Sequence, residues 1–214
     1  MLTLEQAFPT GVAGVIRTQN SDFAFHACMA AAEAGIGTLE VTTTVPSCFE
    51  IVRGLIASTN GSVPVGVGAV WDAEAVVEAA NAGAAFVVTP VVLPAVAEAC
   101  RQHDLLCVLG AFTPTEIHQA QVAGAGMVKV FPVAAAGGHA YIGFLKGPLP
   151  DVPLWVSGGV EIDQVDAYLK LGVRAVGLTS ALFPPAAMES GDLPAIRDLA
   201  RRAAAVTGAR ATFS

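Results

Sequence analysis

A single pattern of apolar and polar positions recurs along the chain. An Ala-rich amphipathic segment ends at Ala-Gly or Leu-Gly, and a short, almost wholly apolar run follows it. A glycine in this position is typical of a helix C-terminus, where it turns the chain toward a following strand. The pattern therefore predicts repeated helix–strand units, and it is clearest in the segments 32–43, 81–90, 122–132 and 169–180.

Adding the weaker apolar runs gives eight predicted strands. Their near-continuous apolar character indicates parallel strands that are covered by helices. Eight alternating strand–helix units predict an α/β fold, a (β/α)8 TIM barrel, with residues 1–214 as one small domain. An open doubly wound sheet is the less favoured alternative. The predicted strands are 12–16, 39–43, 64–68, 86–89, 105–109, 127–131, 153–157 and 175–178.

Polar residues mark where the intervening helices are expected to begin. Start signals occur in the segments 21–25, 71–80, 113–120 and 161–169. In the third of these, Thr113 and Glu116 have the spacing of a capping box, with Pro114 as the first helical residue. This segment therefore predicts a well-defined helix N-terminus after the fifth strand.

Composition and charge narrow the class of protein. Hydrophobic residues make up 54% of the 214 residues and charged residues only 14%, so the chain is expected to fold around a large core. The net charge of −7 is unfavourable for binding a phosphate backbone, and nucleic acid is not an expected partner. Because no run of about 18–20 apolar residues occurs, no membrane span is expected. Glu5 and the lack of a long apolar region near the N-terminus indicate a cytoplasmic protein.

The four cysteines are isolated from one another. Cys28, Cys48, Cys100 and Cys107 show neither C-x-x-C pairing nor a metal-site spacing with histidine. They are interpreted as small buried apolar side chains, and no metal site is expected.

Lys129 is a charged residue in the middle of a predicted apolar strand. It is flanked by Val128 and Val130, whereas Lys146 and Lys170 lie in a loop and at a helix end. Burial disfavours the charged form of an amine, and a neutral amine is a nucleophile. Lys129 is therefore a candidate catalytic amine, and the alternative is a structural lysine that pairs with a buried carboxylate.

Glu40 is a second charged residue inside a predicted apolar strand. A carboxylate beside such an amine can move protons while a carbinolamine forms and dehydrates. The same two residues could instead form a buried ion pair. The two interpretations share one geometry, so only reactivity separates them.

Small and hydroxyl residues follow the last two predicted strands. Ser157, Gly158 and Gly159 end the seventh strand, and Ser180 follows the eighth. Glycines let backbone N–H groups approach an anion, and barrels often bind phosphate at these two loops. We expect an anion site here, with plain tight turns as the alternative. Arg17, at the end of the first predicted strand, is a candidate to bind a carboxylate or phosphate at the same end of the barrel. The alternative is a solvated arginine at a strand end.

At these positions the sequence resembles the 2-keto-3-deoxy-6-phosphogluconate / 4-hydroxy-2-oxoglutarate aldolase family, class I lyases on a small trimeric barrel. The resemblance covers nearly the whole chain, and the lysine strand together with the segment G-P-x-P-D-V…GG is quite specific. The matching motifs are AGIGTLEVT with Glu40, GVGAV, VVTP with Pro90, TPTE, VKVFPV with Lys129, GPLPDVPLWVSGGV and GLTSAL.

The resemblance implies a reaction. Lys129 would form a Schiff base with a 2-keto acid, Glu40 would move protons through a bound water, and Gly158, Gly159 and Ser180 would hold a phosphate. The implied reaction cleaves a 2-keto-3-deoxy (phospho)sugar acid or 4-hydroxy-2-oxo acid to pyruvate and an aldehyde, or to glyoxylate plus pyruvate. No metal or organic cofactor is expected, because the protonated imine polarises the substrate. A homotrimer is the implied assembly.

Three further positions complete the expected site. Pro90 and Ser157 lie in matching motifs and are expected to contact substrate. Phe131 could wall the substrate pocket, although it is also interpreted, like Trp155, as barrel packing.

Two positions depart from the family pattern. Thr44 stands where many members carry an arginine, and Ala69 replaces the usual threonine of the third strand. Arg17 could supply the missing cation, and the aldehyde half of the substrate is left open. Two other classes also stay open, namely a phosphate-binding barrel isomerase or epimerase and a non-catalytic sugar-acid-binding paralogue.

Overall fold

Eight parallel strands close into a barrel in a computed structural model, which describes residues 2–208. Consecutive strands pair in parallel, and the last strand pairs with the first to close the ring. The predicted (β/α)8 fold is confirmed, while residue 1 and residues 209–214 of the predicted domain lie outside the described residues. The strands are β1 (Val12–Ile16), β2 (Leu39–Thr42), β3 (Val65–Gly68), β4 (Phe86–Val88), β5 (Leu106–Ala111), β6 (Met127–Val130), β7 (Leu154–Ser157) and β8 (Ala175–Leu178).

The predicted boundaries of β1 and β8 are confirmed, and the other six strands differ from prediction by one or two residues. Strands β3 and β7 begin one residue later than predicted, after Pro64 and Pro153. Proline has no N–H to donate to a ladder, although the Pro64 carbonyl still accepts from Leu39 N and the Pro153 carbonyl from Val128 N. In β5 the pairing continues to Ala111, two residues past the predicted end.

Helices begin at the four predicted start signals, at Ser21, Ala73 and Pro114 and, after a 3-10 turn, at Val165. Thr113 and Glu116 form the expected capping box at the start of the sixth helix, with Pro114 as its first residue. Each of the four repeat segments has a glycine at the break between its helix and its strand. These four glycines, Gly35, Gly83, Gly124 and Gly172, all have positive φ. The helices are α1 (Leu4–Ala7), α2 (Ser21–Glu33), α3 (Cys48–Ser58), α4 (Ala73–Asn81), α5 (Pro94–Gln102), α6 (Pro114–Val122), α7 (Val133–Ala136), α8 (Gly138–Lys146), α9 (Val165–Lys170), α10 (Pro185–Ser190) and α11 (Leu193–Gly208), with a 3-10 turn at Ile162–Gln164. Within residues 2–208, no helix has both the length and the apolar character that crossing a membrane requires.

Alternate positions on the strands divide the core in two. One set of apolar side chains packs between the barrel and its helices, and a smaller set fills the barrel interior. The interior set includes an aromatic cluster of Phe8, Phe86 and Trp155, whose rings meet at centroid distances of 5.0–6.0 Å. Lys129 has the same strand parity as the interior residue Met127, so its side chain enters the barrel above this apolar floor.

Candidate active site

Lys129 and Glu40 meet inside the barrel. The Lys129 Nζ lies 3.4 Å from both Oε1 and Oε2 of Glu40, although β6 and β2 are on opposite sides of the ring. Lys129 is 7% exposed and Glu40 is 1% exposed. The structure therefore brings together the two charged residues that the sequence singled out, in a site nearly shielded from water.

Gly68 makes the space that the Glu40 carboxylate occupies. Strand β2 pairs with β3 so that Thr42 is the register partner of Gly68. A Cβ at Gly68 would lie 1.8 Å from Glu40 Oε1 and 2.5 Å from its Cδ, which no side chain could tolerate. Glycine is therefore required at this position by a contact with a side chain from another strand, which the GVGAV motif alone does not reveal.

Two aromatic rings surround the amine of Lys129. The Nζ atom lies over the Trp155 ring at 5.1 Å from its centroid and over the Phe131 ring at 5.6 Å. Trp155 is fully buried, whereas Phe131 is 37% exposed. The packing role predicted for Trp155 is therefore accompanied by a contact with the amine that sequence analysis did not foresee.

The predicted anion loops both follow strand ends. Ser157 is the last residue of β7 and its buried Oγ donates to the Gly177 carbonyl at 3.4 Å. Gly158 and Gly159 follow with φ of +89° and +78°, and a Cβ at Gly158 would lie 2.8 Å from Pro132 Cα. Ser180 lies two residues beyond β8 and is exposed. Both loops lie at the carboxyl ends of the strands, the face on which barrel active sites form.

Arg17 directly follows the last residue of β1. Its side chain is exposed, and no hydrogen bond or ion pair holds its guanidinium within residues 2–208. The neighbouring strand end carries hydroxyls, since Thr42 Oγ1 donates to the Ile16 carbonyl at 3.1 Å and lies 2.8 Å from Thr44 Oγ1. Among the described residues, the mouth near β1 and β2 therefore carries the unpaired guanidinium of Arg17 and the exposed side chain of Thr44.

Two more positions from the expected site lie at neighbouring strand ends. Pro90 follows β4 and packs against β5, because a Cβ at Gly110 would lie 2.2 Å from the Pro90 carbonyl carbon. Ala69 follows β3 with φ +55°, a left-handed conformation, and its carbonyl accepts a 2.7 Å hydrogen bond from Thr43 Oγ1. Ala69 carries a methyl group where the resemblance implies a threonine.

The cysteines are buried free thiols, as the sequence indicated. Burial raises the pKa of the Cys28 thiol far above its ordinary value. Burial, helped by the charges of Glu50 and Glu40, raises the pKa of Cys48 to about 12. Since the thiolate is the reactive form, these two thiols are inert near neutral pH. No group of three or more metal-ligating side chains lies together in the part of the chain that the structure describes.

Comparison with known proteins agrees with the resemblance seen in the sequence. The model of the KDPG (2-keto-3-deoxy-6-phosphogluconate) and KHG (4-hydroxy-2-oxoglutarate) aldolase family matches residues 7–199. A probable 2-dehydro-3-deoxy-6-phosphogalactonate aldolase from Rhizobium meliloti is 31% identical over 162 residues, which cover 75% of this chain and 76% of that protein. A 2-dehydro-3-deoxy-phosphogluconate aldolase from Pseudoalteromonas atlantica is 30% identical over 172 residues, covering 80% and 79%.

A solved structure extends the match to the whole fold. The KDPG aldolase of Legionella pneumophila, with pyruvate captured as a covalent carbinolamine, superposes with a TM-score of 0.83 at 25% identity, covering 95% of this chain and 96% of that one. The family model spans most of the chain, and the two relatives cover at least three quarters of it. The chain therefore belongs to the family of KDPG and KHG aldolases, which are carbon–carbon lyases.

Proposed function

We propose that this aldolase cleaves a 2-keto-3-deoxy (phospho)sugar acid or a 4-hydroxy-2-oxo acid to pyruvate and an aldehyde, through an imine on Lys129. The proposal treats residues 1–214 as one catalytic domain. The observation that carries it is the Lys129 Nζ held 3.4 Å from both carboxylate oxygens of Glu40 above the apolar floor of the barrel. Such a pair supplies a nucleophile and a proton acceptor at one point.

The reaction begins at the ketone of the substrate. Glu40 takes a proton from Lys129, the neutral amine attacks C2, and Glu40 returns that proton through a bound water to the carbinolamine oxygen, which leaves as water. The resulting iminium draws electrons from the C3–C4 bond while the Glu40 carboxylate takes the proton of the C4 hydroxyl through the same water, so that an aldehyde leaves and an enamine remains. Protonation of C3 and hydrolysis of the imine then release pyruvate and restore the amine. The iminium does the polarising, so the scheme requires neither metal nor organic cofactor.

The shape of the mouth supports an anionic substrate. Gly158 and Gly159, both with positive φ, can turn backbone N–H groups toward a phosphate or carboxylate, and the exposed hydroxyl of Ser180 lies on the next loop. In the proposal these three residues hold the distal anion, while Ser157, Pro90 and Phe131 contact the body of the substrate. The guanidinium of Arg17 provides the countercharge that Thr44 does not.

Exposed apolar side chains at the mouth support the expected homotrimer. Trp71, Val91 and Phe112, here called the mouth patch, follow the adjacent strands β3, β4 and β5 and are 59%, 43% and 39% exposed. Large apolar side chains grouped on a surface mark interaction sites, and homo-oligomers bury them against copies of the same chain. We propose that the mouth patch lies in the trimer contact.

The proposal also places the enzyme in the cytoplasm. The four free thiols are typical of a reducing compartment.

A substrate panel tests the proposed reaction. Purified protein is incubated with phosphorylated and unphosphorylated 2-keto-3-deoxy acids and with 4-hydroxy-2-oxoglutarate, and released pyruvate is measured with a coupled dehydrogenase. We expect release from at least one compound, and its loss in Lys129→Met. The matched control is Lys170→Met, because Lys170 is exposed and pairs with Asp166 on the surface. Full activity of Lys129→Met would reject the proposed imine.

A further inference from the structure

Trp155 is the one aromatic residue of the buried floor that contacts the amine in the described structure. Its ring lies under Lys129 Nζ at 5.1 Å from the centroid, while Phe131 lies at 5.6 Å and belongs to the open mouth. Strand pairing fixes this contact, since Trp155 on β7 is the register partner of Lys129 on β6. The indole and the amine are therefore held together by the barrel itself.

Packing alone holds the indole in this place. Phe8 and Phe86 contact it edge-on at centroid distances of 5.1 and 6.0 Å. Gly177 on β8 leaves room for it, because a Cβ there would lie 2.5 Å from Trp155 Nε1. That Nε1 has no hydrogen-bond partner among the described residues. The ring presents its face to the amine of Lys129.

An aromatic face distinguishes between the states through which the amine passes. It attracts a cation through the quadrupole of the ring and does little for a neutral amine. In the proposed reaction the nitrogen is neutral when it attacks and positively charged as the iminium. A fixed ring beneath the nitrogen therefore stabilises the iminium relative to the neutral amine that attacks the ketone.

We propose that Trp155 is a positioning residue that stabilises the Lys129 iminium through a cation–π contact with the face of its ring. This inference rests on the proposed function, because it concerns the imine formed on Lys129. It assigns a specific task to a side chain that is otherwise interpreted as core packing. The ring acts only through the lysine and does not contact the substrate.

Fluorinated tryptophan tests the proposal without a change in side-chain shape. Fluorine substitution weakens the ring quadrupole stepwise while the indole keeps nearly the same size. Protein that contains mono-, di- or trifluorotryptophan is titrated with pyruvate, and the adduct is trapped with borohydride and quantified by mass spectrometry. We expect the half-saturating pyruvate concentration to rise with each fluorine, by about 2- to 30-fold in total.

The second tryptophan provides the internal control. Trp71 is exposed and also takes up the analogue, so the titration is repeated in Trp155→Phe, where Trp71 is the only tryptophan left. In that variant fluorination should leave the half-saturating concentration unchanged. A series that stays flat in the wild-type sequence, or an equal rise in Trp155→Phe, would overturn the proposal.

Point variants separate the contact from general packing. Trp155→Phe keeps an aromatic face and should retain most pyruvate binding, whereas Trp155→Leu should raise half-saturation by about 2- to 30-fold. Tyr168→Leu removes a ring that is equally buried but packs between the barrel and its helices, away from Trp155; it should lower the melting temperature and leave half-saturation unchanged. Equal effects of Trp155→Leu and Tyr168→Leu would show that Trp155 acts only through packing. If Trp155→Leu does not fold, the fluorinated proteins still test whether the ring stabilises the iminium.

The result for unmodified protein separates this inference from the proposed function. An absence of any adduct on Lys129 would reject the imine mechanism itself. An adduct that forms with the same half-saturation in every fluorinated protein would keep the mechanism and reject only the role of Trp155.

Discussion

Glu40 occupies a space that exists only because its neighbour has no side chain. An alanine at Gly68 would place its Cβ 1.8 Å from Glu40 Oε1 and force the carboxylate away from Lys129. We expect Gly68→Ala to lower kcat by about 10²–10⁴-fold, the same range as Glu40→Gln, because both remove the proton shuttle. Pyruvate release and a thermal melt measure activity and folding in parallel.

The chain offers a matched control for this substitution. A Cβ at Gly143 on α8 would meet nothing within 4 Å, so Gly143→Ala should keep full activity. Wild-type kcat in Gly68→Ala or in Glu40→Gln would contradict the proton-transfer role. A Glu40→Gln protein that no longer folds would instead favour the buried ion pair as a structural element.

Arg17 is the free cation at the mouth near β1. A guanidinium can grip a carboxylate or phosphate through two parallel hydrogen bonds, and a lysine keeps the charge but loses this fork. We expect Arg17→Lys to raise KM by about 10- to 150-fold, equivalent to ~1.5–3 kcal/mol, with a smaller change in kcat. Steady-state kinetics on each active substrate measures both constants. Unchanged KM in both Arg17→Lys and Arg17→Ala would show that the anion is bound elsewhere.

The roles of charged residues are easier to predict from the sequence than the roles of the uncharged residues around them. Lys129 and Glu40 could be identified because a charge inside an apolar strand needs a partner or a function. Gly68 could not, because its role depends on the register between β2 and β3 and on the path of a side chain from another strand. Trp155 was predicted to pack, and its contact with Lys129 depends equally on strand pairing.

The N-terminus of α6 is an element whose stability should depend on pH. Glu116 Oε2 accepts hydrogen bonds from the backbone N–H groups of Phe112 and Thr113 and from Thr113 Oγ1, and these bonds lower the pKa of Glu116. A lowered pKa in the folded state contributes stability above the pKa of the unfolded chain, and this contribution is lost as the pH falls through the folded value. The helix is therefore secured by an ionised carboxylate.

We expect Glu116→Gln to lower the free energy of unfolding by about 0.5–1 kcal/mol at pH 7, since the charge-assisted bonds weaken. The difference from wild type should shrink below a pH of about 4, where the wild-type carboxyl also takes up its proton. Urea unfolding between pH 3 and 7 measures it, with Glu189→Gln as an exposed control. A difference that is constant with pH would contradict the assignment.

The order of the strands can be predicted closely from the sequence, but the residues at which they begin and end cannot. Each of the eight strands was predictable because its run is apolar on both faces, and the capping box marked the start of α6. The late starts after Pro64 and Pro153 follow from a missing N–H, whereas the extension of β5 to Ala111 depends on pairing with Val130. The short helix α7 carries no start signal that the sequence analysis recognised.

Assembly follows from the surface of the whole barrel. We expect the protein to sediment as a species of about three times its chain mass of 21.7 kDa. The mouth patch exposes large apolar side chains that contacts between subunits would bury. Val91→Asp should shift this species toward the monomer. Val122→Asp is the matched control, since Val122 is 75% exposed on α6 and lies outside the patch. A wild-type monomer at micromolar concentration would contradict the trimer.

Imine formation on Lys129 is the step on which the proposed reaction depends, and borohydride trapping tests it directly. The protein is incubated with pyruvate and borohydride, digested, and its peptides are identified by mass spectrometry. We expect a reduced pyruvyl adduct on a single peptide, the one that contains Lys129, because only this amine is held inside the barrel beside Glu40. An adduct on Lys146 or Lys170, or no adduct on any lysine, would contradict it.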